Sequence, residues 1–288
     1  MNGGTDPRGK AIAWIDEPLP GGSWGDPDRL CLPLSDRGLL LADGLFETVL
    51  IQAGIPRLLT EHLARWQASA ASLGMASPPG TDRVVPLLAE AVARSGLRGD
   101  GALRLNWSRG SGGRRGLALP AAGEPQGRPR FWLQLSPWTP VRAPVAVIVS
   151  RLERRNADSL VSRCKTFAYA GAIQALREAR AAGADEALLL GSRGDLCCGT
   201  SANLLVRLRG GWITPPLASG CLPGVMRGRG LALGLVREGR LGMADLLASE
   251  GALLINSLGC RPIRRCDATD LPLATGADDL WEQLLASS

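Results

Sequence analysis

The spacing of apolar residues changes repeatedly along this chain, and the changes restrict the folds open to it. Phe46 to Gln52 and Ile55 to Leu59 are short apolar runs on either side of Ala53-Gly54, which predicts two strands joined by a glycine-containing turn. Thr60 then offers a helix cap, and Leu63, Trp66, Ala70 and Leu73 recur every three or four residues, the stripe of a helix with one buried side. His62, Arg65 and Ser69 fall on a neighbouring face of that helix. Pro78-Pro79-Gly80 ends the pattern, and a second Ala/Leu-rich helix is predicted from Arg83 to Ser95. Leu103, Leu105 and Trp107 alternate with Arg104, Asn106 and Ser108, and Phe131, Leu133 and Leu135 repeat the alternation, as half-buried strands do.

Between those two strands lies SRGSGGRRGLALPAAGEPQGRP, too polar to pack and too long for a simple hairpin. A loop that closes over something anionic is the expectation there. Ser136 to Pro144 has the composition of a linker. Beyond it the pattern predicts a strand from Val145 to Ser150 and a helix from Tyr169 to Ala182 stopped by Gly183. Strands are predicted near Glu186 to Leu190, Asn203 to Arg207 and Trp212 to Thr214, then a helix opened by Leu222-Pro223-Gly224 and running to Glu238. Strands and helices are mixed without strict alternation, so the expected class is α+β. The expected division is a smaller N-terminal α/β domain at 1–136, a linker at 137–144 and a larger C-terminal domain at 145–288.

Composition removes several function classes. Hydrophobic residues make up 45% and charged residues 21%, an ordinary globular balance. Of 33 basic residues only Lys10 and Lys165 are lysines, and the chain holds one histidine, His62, and one tyrosine, Tyr169. A metal site built from several histidines is excluded, and a Ser-His-Asp triad would have to use His62. The net charge of +6 is compatible with nucleic acid, an anionic membrane surface or a small anionic substrate, and charge alone does not choose among them. Arginines dispersed along the chain weaken the case for a nucleic-acid-binding arm. Seven cysteines with no CxxC spacing do not make a disulfide framework and imply reduced thiols in a cytoplasmic protein. MNGGTDPRGK lacks the apolar core of a signal peptide, and no apolar run approaches the roughly 18 residues of a membrane span, so no membrane association is expected.

A lysine in a chain that otherwise uses arginine points to chemistry arginine cannot perform. A desolvated lysine can lose its proton and attack a carbonyl, whereas a guanidinium stays protonated. Tyr169, four residues after Lys165, could bond the oxygen of an aldehyde cofactor. Arg65 could hold a phosphate, and Leu222-Pro223-Gly224-Val225-Met226-Arg227 puts backbone amides at a helix start, where anions bind. Taken singly, each has a plain structural alternative: a core tyrosine, a surface arginine, an ordinary helix entry.

Taken together, the segments resemble a family. SDRGLLLADGLFET from Ser35, HLAR from His62, CKTFAYAGAI from Cys164, GADEALLL from Gly183, the Asn203 segment, TPPL from Thr214 and LPGVMR from Leu222 occur in order. They resemble the class IV, or fold type IV, pyridoxal-phosphate enzymes: branched-chain and D-amino-acid aminotransferases and aminodeoxychorismate lyases. The resemblance implies a D-amino-acid aminotransferase-like fold with pyridoxal 5'-phosphate between the two domains, and a homodimer. It makes Lys165 the residue that binds the cofactor aldehyde, with Tyr169 facing the ring. Arg65, the backbone of Val225 and Met226, and the turn at Asn256 and Ser257 become its phosphate side.

SRGSGGRRG and GVMR are similar to lyase segments, which implies elimination of pyruvate from 4-amino-4-deoxychorismate to give 4-aminobenzoate for folate biosynthesis. A class IV aminotransferase or a non-catalytic relative is the alternative. On the lyase reading Arg109, with Arg114 or Arg115, meets the substrate's two carboxylates. Cys198 departs from the family: a glutamate usually stands there and pairs with the cofactor's pyridine nitrogen. A thiol is a weak partner that leaves this nitrogen largely unprotonated, which handicaps transamination more than an elimination driven by aromatisation. Ala42 and Ala168 also depart from the family, standing where a glycine and an asparagine are common.

Overall fold

The structure, a computed structural model, describes residues 8–16, 22–111, 116–119 and 127–286. It divides into two compact units, Met1–Thr139 with Lys165–Phe167, and Pro140–Cys164 with Ala168–Ser288.

The first unit is built on strands β1 (Ile12–Ile15) and β2 (Ser23–Gly25), helix α1 (Arg37–Leu41), strands β3 (Gly44–Gln52) and β4 (Ile55–Pro56), helices α2 (Leu59–Ser72) and α3 (Thr81–Ser95), and strands β5 (Gly101–Ser108) and β6 (Arg130–Pro137). The strands form one sheet in the order β2-β1-β6-β5-β3-β4. Alternation sends Leu45, Val49 and Ile51 of β3, Leu103 and Leu105 of β5, and Leu133 and Leu135 of β6 to one side, all fully buried. Leu63, Trp66 and Ala70 of α2 and Val84, Leu88 and Ala91 of α3 supply the other half of that core. The expected cap at Thr60 is corrected: Leu58 occupies the cap position in the left-handed region, without a side-chain hydrogen bond, and α2 begins before Thr60. Leu58 turns left-handed and α2 starts at Leu59, so the expected strand to Leu59 shrinks to two residues. His62 and Ser69, on the face beside the apolar stripe, are buried as well.

A short piece from far along the chain completes this unit. The Phe46 amide donates to the Lys165 carbonyl at 2.9 Å, the Phe167 amide donates to the Gly44 carbonyl at 3.0 Å, and Thr166 bridges Leu45 in antiparallel register. Lys165–Phe167 therefore acts as an added strand on the exposed edge of β3. Gly44 is required for this: a Cβ there would fall 2.2 Å from the Phe167 ring.

The second unit contains strand β7 (Val145–Arg155), helix α4 (Ala170–Ala181), strands β8 (Glu186–Gly191), β9 (Leu196–Gly199), β10 (Asn203–Leu208) and β11 (Gly211–Thr214), and helix α5 (Val225–Ala232). It continues with β12 (Val236–Glu238), α6 (Met243–Leu247), β13 (Gly251–Asn256), β14 (Gly259–Cys266), β15 (Thr269–Asp270) and α7 (Ala277–Leu285). The sheet runs β12-β11-β10-β13-β14-β7-β8-β9, and β9 pairs back onto β10 through Asn203 and Cys198, closing a ring. One buried cluster, including Val145, Val147, Leu188, Leu204, Val206, Leu254 and Ile263, gathers one set of alternate side chains. A second cluster joins Ala146, Ile148, Ala187 and Leu189 to Ala175 and Ala179 of α4. Small residues on both partners let that helix pack closely on the sheet.

The predicted helix to Glu238 is also corrected. Gly234 takes a left-handed φ of +68° just after α5, and Val236–Glu238 pairs parallel to β11. β9 and β13 escaped the pattern reading because the first is short and the second is buried on both faces, and β14 did because its proline and arginines break the alternation. Among the described residues no helix is long and apolar enough to cross a membrane.

Gly44→Ala is expected to push Phe167 away from β3 and lower stability by about 1–3 kcal/mol, the usual cost of overpacking. Urea unfolding measures the loss, and faster hydrogen exchange at the Phe46 and Phe167 amides locates it.

Candidate active site

On the side of the first sheet opposite its helices, register aligns Phe46 with Asn106 and Trp132, and Thr48 with Arg104 and Gln134. Lys165 reaches this face from the added strand. Its Nζ lies 4.4 Å from the centre of the Phe46 ring, and the guanidinium carbon of Arg104 lies 3.6 Å from the same centre. Phe167 packs near Phe46 and Trp132, with ring centres 6.4 and 5.6 Å apart. Lys165 is half-buried, with its amine over an aromatic ring.

On the helix side of β3, Glu47 stands where Leu45 and Val49 would lead one to expect a third apolar residue. Its carboxylate accepts from Arg65 Nε at 2.8 Å and from Arg65 Nη2, and it pairs with His62 Nδ1 at 2.7 Å. Glu47 and His62 are each 1% exposed. Burial works to raise the Glu47 pKa, but the Arg65 charge and the hydrogen bonds from His62 and Arg65 outweigh it and hold the carboxyl at about 2. Burial is also the main reason the His62 pKa is lowered, against the pull of Glu47. The ring is therefore neutral near pH 7 and donates its Nδ1 hydrogen to the carboxylate. The first unit thus gathers Lys165, His62 and Arg65. The sequence reading passed over Glu47, although a carboxylate on the inward side of an apolar strand was a legible signal.

In the second unit Cys198 is buried in an apolar cluster with Ala146, Ile148, Ala175, Ala187, Leu189, Cys197 and Cys221. Hydrogen bonding to Cys198 and Cys221, with burial, pushes the Cys197 thiol up. Asn203, paired with Cys198 across the strands, donates from Nδ2 to the Leu222 carbonyl at 3.0 Å. This ties β10 to the segment before α5. Gly224 caps α5 without a side-chain hydrogen bond, and a Cβ there would fall 1.9 Å from Asn203 Oδ1. Val225 and Met226 are the first residues of that helix and are buried. Tyr169 is half-buried at the start of α4. Asn256 Oδ1 accepts from the Leu258 amide at 2.8 Å, and its Nδ2 donates to the Ser201 carbonyl at 3.2 Å. The turn carrying Asn256 and Ser257 is thereby joined to the loop after β9. That loop is held in turn by Glu186, a second buried carboxylate outside the sequence reading, which accepts from Thr200 Oγ1 and Arg261 Nη2, both at 2.6 Å.

Arg109 Nε donates to Asp43 at 2.9 Å, Nη1 to the Gly74 carbonyl at 2.8 Å and Nη2 to the Leu73 carbonyl at 3.0 Å. These bonds tie the end of β5 to the residue before β3 and to the end of α2, and each terminal nitrogen keeps a second N–H beyond them. Arg114 and Arg115 lie outside the described residues, as does most of the loop expected to close over an anion.

Comparison with known proteins identifies the family. A model of the amino-transferase class IV family matches residues 44–266, and the chain belongs to that family. It is therefore a pyridoxal-phosphate-dependent enzyme with the class IV aminotransferase fold. It is 30% identical over 210 residues to a putative branched-chain-amino-acid aminotransferase of Methanocaldococcus jannaschii, covering 72% of this chain and 70% of that one. It is also 30% identical over 220 residues to a putative aminodeoxychorismate lyase of Schizosaccharomyces pombe, covering 74% and 85%. Among solved structures it resembles a fold IV transaminase from Curtobacterium pusillum, with a TM-score of 0.82 at 25% identity, covering 97% of this chain and 100% of that one.

The buried Glu47–His62 pair makes stability depend on pH with a definite sign. Glu47 has a folded pKa below its ordinary value of 4.5, so its contribution is present above about 4.5 and is lost as the pH falls toward 2. Its full contribution is about 3 kcal/mol. A His62 pKa below its ordinary 6.5 means that the unfolded chain takes up this proton first, so acidification below 6.5 also favours unfolding. Urea midpoints are expected to be level between about pH 7 and 8 and to fall from about 6.5 downward. His62→Gln should flatten the upper part of that decline.

Proposed function

We propose that this enzyme is an aminodeoxychorismate lyase, which eliminates pyruvate from 4-amino-4-deoxychorismate and leaves 4-aminobenzoate. The observation that carries this reading is Cys198. The position that holds a glutamate in the family lies here among apolar and thiol side chains. Without that carboxylate the cofactor ring is a poorer electron sink, and a reaction whose product becomes aromatic suffers least. The lyase relative and the SRGSGGRRG and GVMR segments support the same choice.

The residues fit pyridoxal 5'-phosphate by their chemistry. Lys165 provides an amine for its aldehyde, Arg65 a guanidinium whose plane is fixed by Glu47, and α5 a helix start with no side-chain cap and no room for a Cβ at Gly224. We assign the phosphate to Arg65, the Val225 and Met226 amides and the turn at Asn256 and Ser257, and the ring to Tyr169 and Cys198. A cofactor held there would supply an electron sink for the carbon bearing the substrate amine. Lys165 Nζ would remove the proton from this carbon. The C–O bond to the enolpyruvyl group then breaks, and Lys165 returns the proton to its methylene carbon, so that pyruvate leaves as the ring aromatises. The aminotransferase alternative has a relative of equal identity in its favour. It predicts conversion of the cofactor to its amine form when amino acids are added.

The purified protein with pyridoxal phosphate should release fluorescent 4-aminobenzoate and pyruvate from 4-amino-4-deoxychorismate. Lys165→Ala should abolish both the release and the visible absorbance of the bound cofactor, and a variant that kept both would overturn the assignment. Cys198→Glu should shift the cofactor absorbance and raise transamination of D- or branched-chain amino acids. An unchanged spectrum would show that another residue faces the pyridine nitrogen.

A further inference from the structure

We infer that Glu47 is a positioning residue for the cofactor's phosphate and acts through Arg65. This rests on the assignment of Arg65 to the phosphate. Glu47 interrupts the apolar side of β3 between Leu45 and Val49, both of which are fully buried. A buried carboxylate there is costly even when paired, and apolar residues of similar size serve a core at least as well. Stability therefore gives little reason for the group, and its geometry gives a better one.

Glu47 engages Arg65 through Nε and Nη2 together. Two parallel hydrogen bonds fix the plane of a guanidinium as well as its place, which a single contact does not. The same contact turns the Nη1 edge away from Glu47 in a set direction. Neutral His62, on the same helix one turn before Arg65, holds Glu47 Oε2 from the other side, so the carboxylate cannot rotate without losing that bond. Rotamer freedom that a long arginine would otherwise lose on meeting a phosphate has already been removed on folding. Because the Glu47 carboxyl stays ionised far below neutrality, the arrangement is constant across the working pH range.

Affinity of the full-length chain for pyridoxal 5'-phosphate and for pyridoxal, which lacks the phosphate, tests this. Wild type should prefer the phosphorylated form strongly, and Arg65→Met should remove roughly a hundredfold of that preference, as the loss of a charged hydrogen-bonding group implies. Glu47→Gln should reduce the preference about tenfold while leaving pyridoxal affinity unchanged, and should add nothing in the Arg65→Met background. Equal loss of both affinities in Glu47→Gln would mark Glu47 as merely structural and overturn the inference. If Glu47→Gln does not fold, Glu47→Asp, which keeps the charge but shortens the reach, should show the same selective loss, and an unchanged preference in it would equally overturn the inference. Unaltered preference in Arg65→Met would instead overturn the assignment of Arg65 to the phosphate.

Discussion

Two backbone hydrogen bonds between Gly44–Phe46 and Lys165–Phe167 carry much of the organisation of the first unit. They move a lysine that belongs by sequence to the second half of the chain onto the sheet of the first. Once this strand is added, Phe167 fills the space left by the missing side chain of Gly44, and the amine of Lys165 comes over Phe46. A backbone pairing is well suited to the task, because it sets side-chain direction by alternation without depending on which side chains are present.

Buried charge organises the surroundings in each unit. Glu47 gathers His62 and Arg65 in the first, and Glu186 gathers Thr200 and Arg261 in the second. Both carboxylates sit on strands whose neighbours are apolar, and both satisfy their oxygens with charged or hydroxyl donors, the condition under which a buried carboxylate is tolerated. Cys198 presents a different case. It is packed with thiols and aliphatic carbon, and arginine charge reaches the same cluster at Cys221, where hydrogen bonding to Cys197, with Arg227 and Arg155, lowers the thiol pKa.

Much of this was legible in the residues. The α2 stripe of Leu63, Trp66 and Ala70, the alternation in β5 and β6, and the helix after Tyr169 follow from periodicity, since a single buried face imposes its own repeat. Lys165 and the motif segments pointed to the family that the comparison establishes. Pattern reading failed where burial on both faces erases the alternation, as in β13, or where a glycine ends a helix early, as Gly234 does after α5. The partners of Arg109 were illegible for another reason: an arginine free in solvent and an arginine spanning a carboxylate and two backbone carbonyls look the same in one dimension.

The sequence by itself determined the chemistry available: two lysines in an arginine-rich chain, one histidine and one tyrosine. Only the tertiary structure decided which groups those residues meet. It placed Arg65 in the grip of Glu47, tied Arg109 to Asp43 and the end of α2, and carried Lys165 to the edge of β3. The physical reason is that residue type sets what a group can do, whereas hydrogen-bond partners and burial depend on chain segments far apart in sequence that meet only on folding.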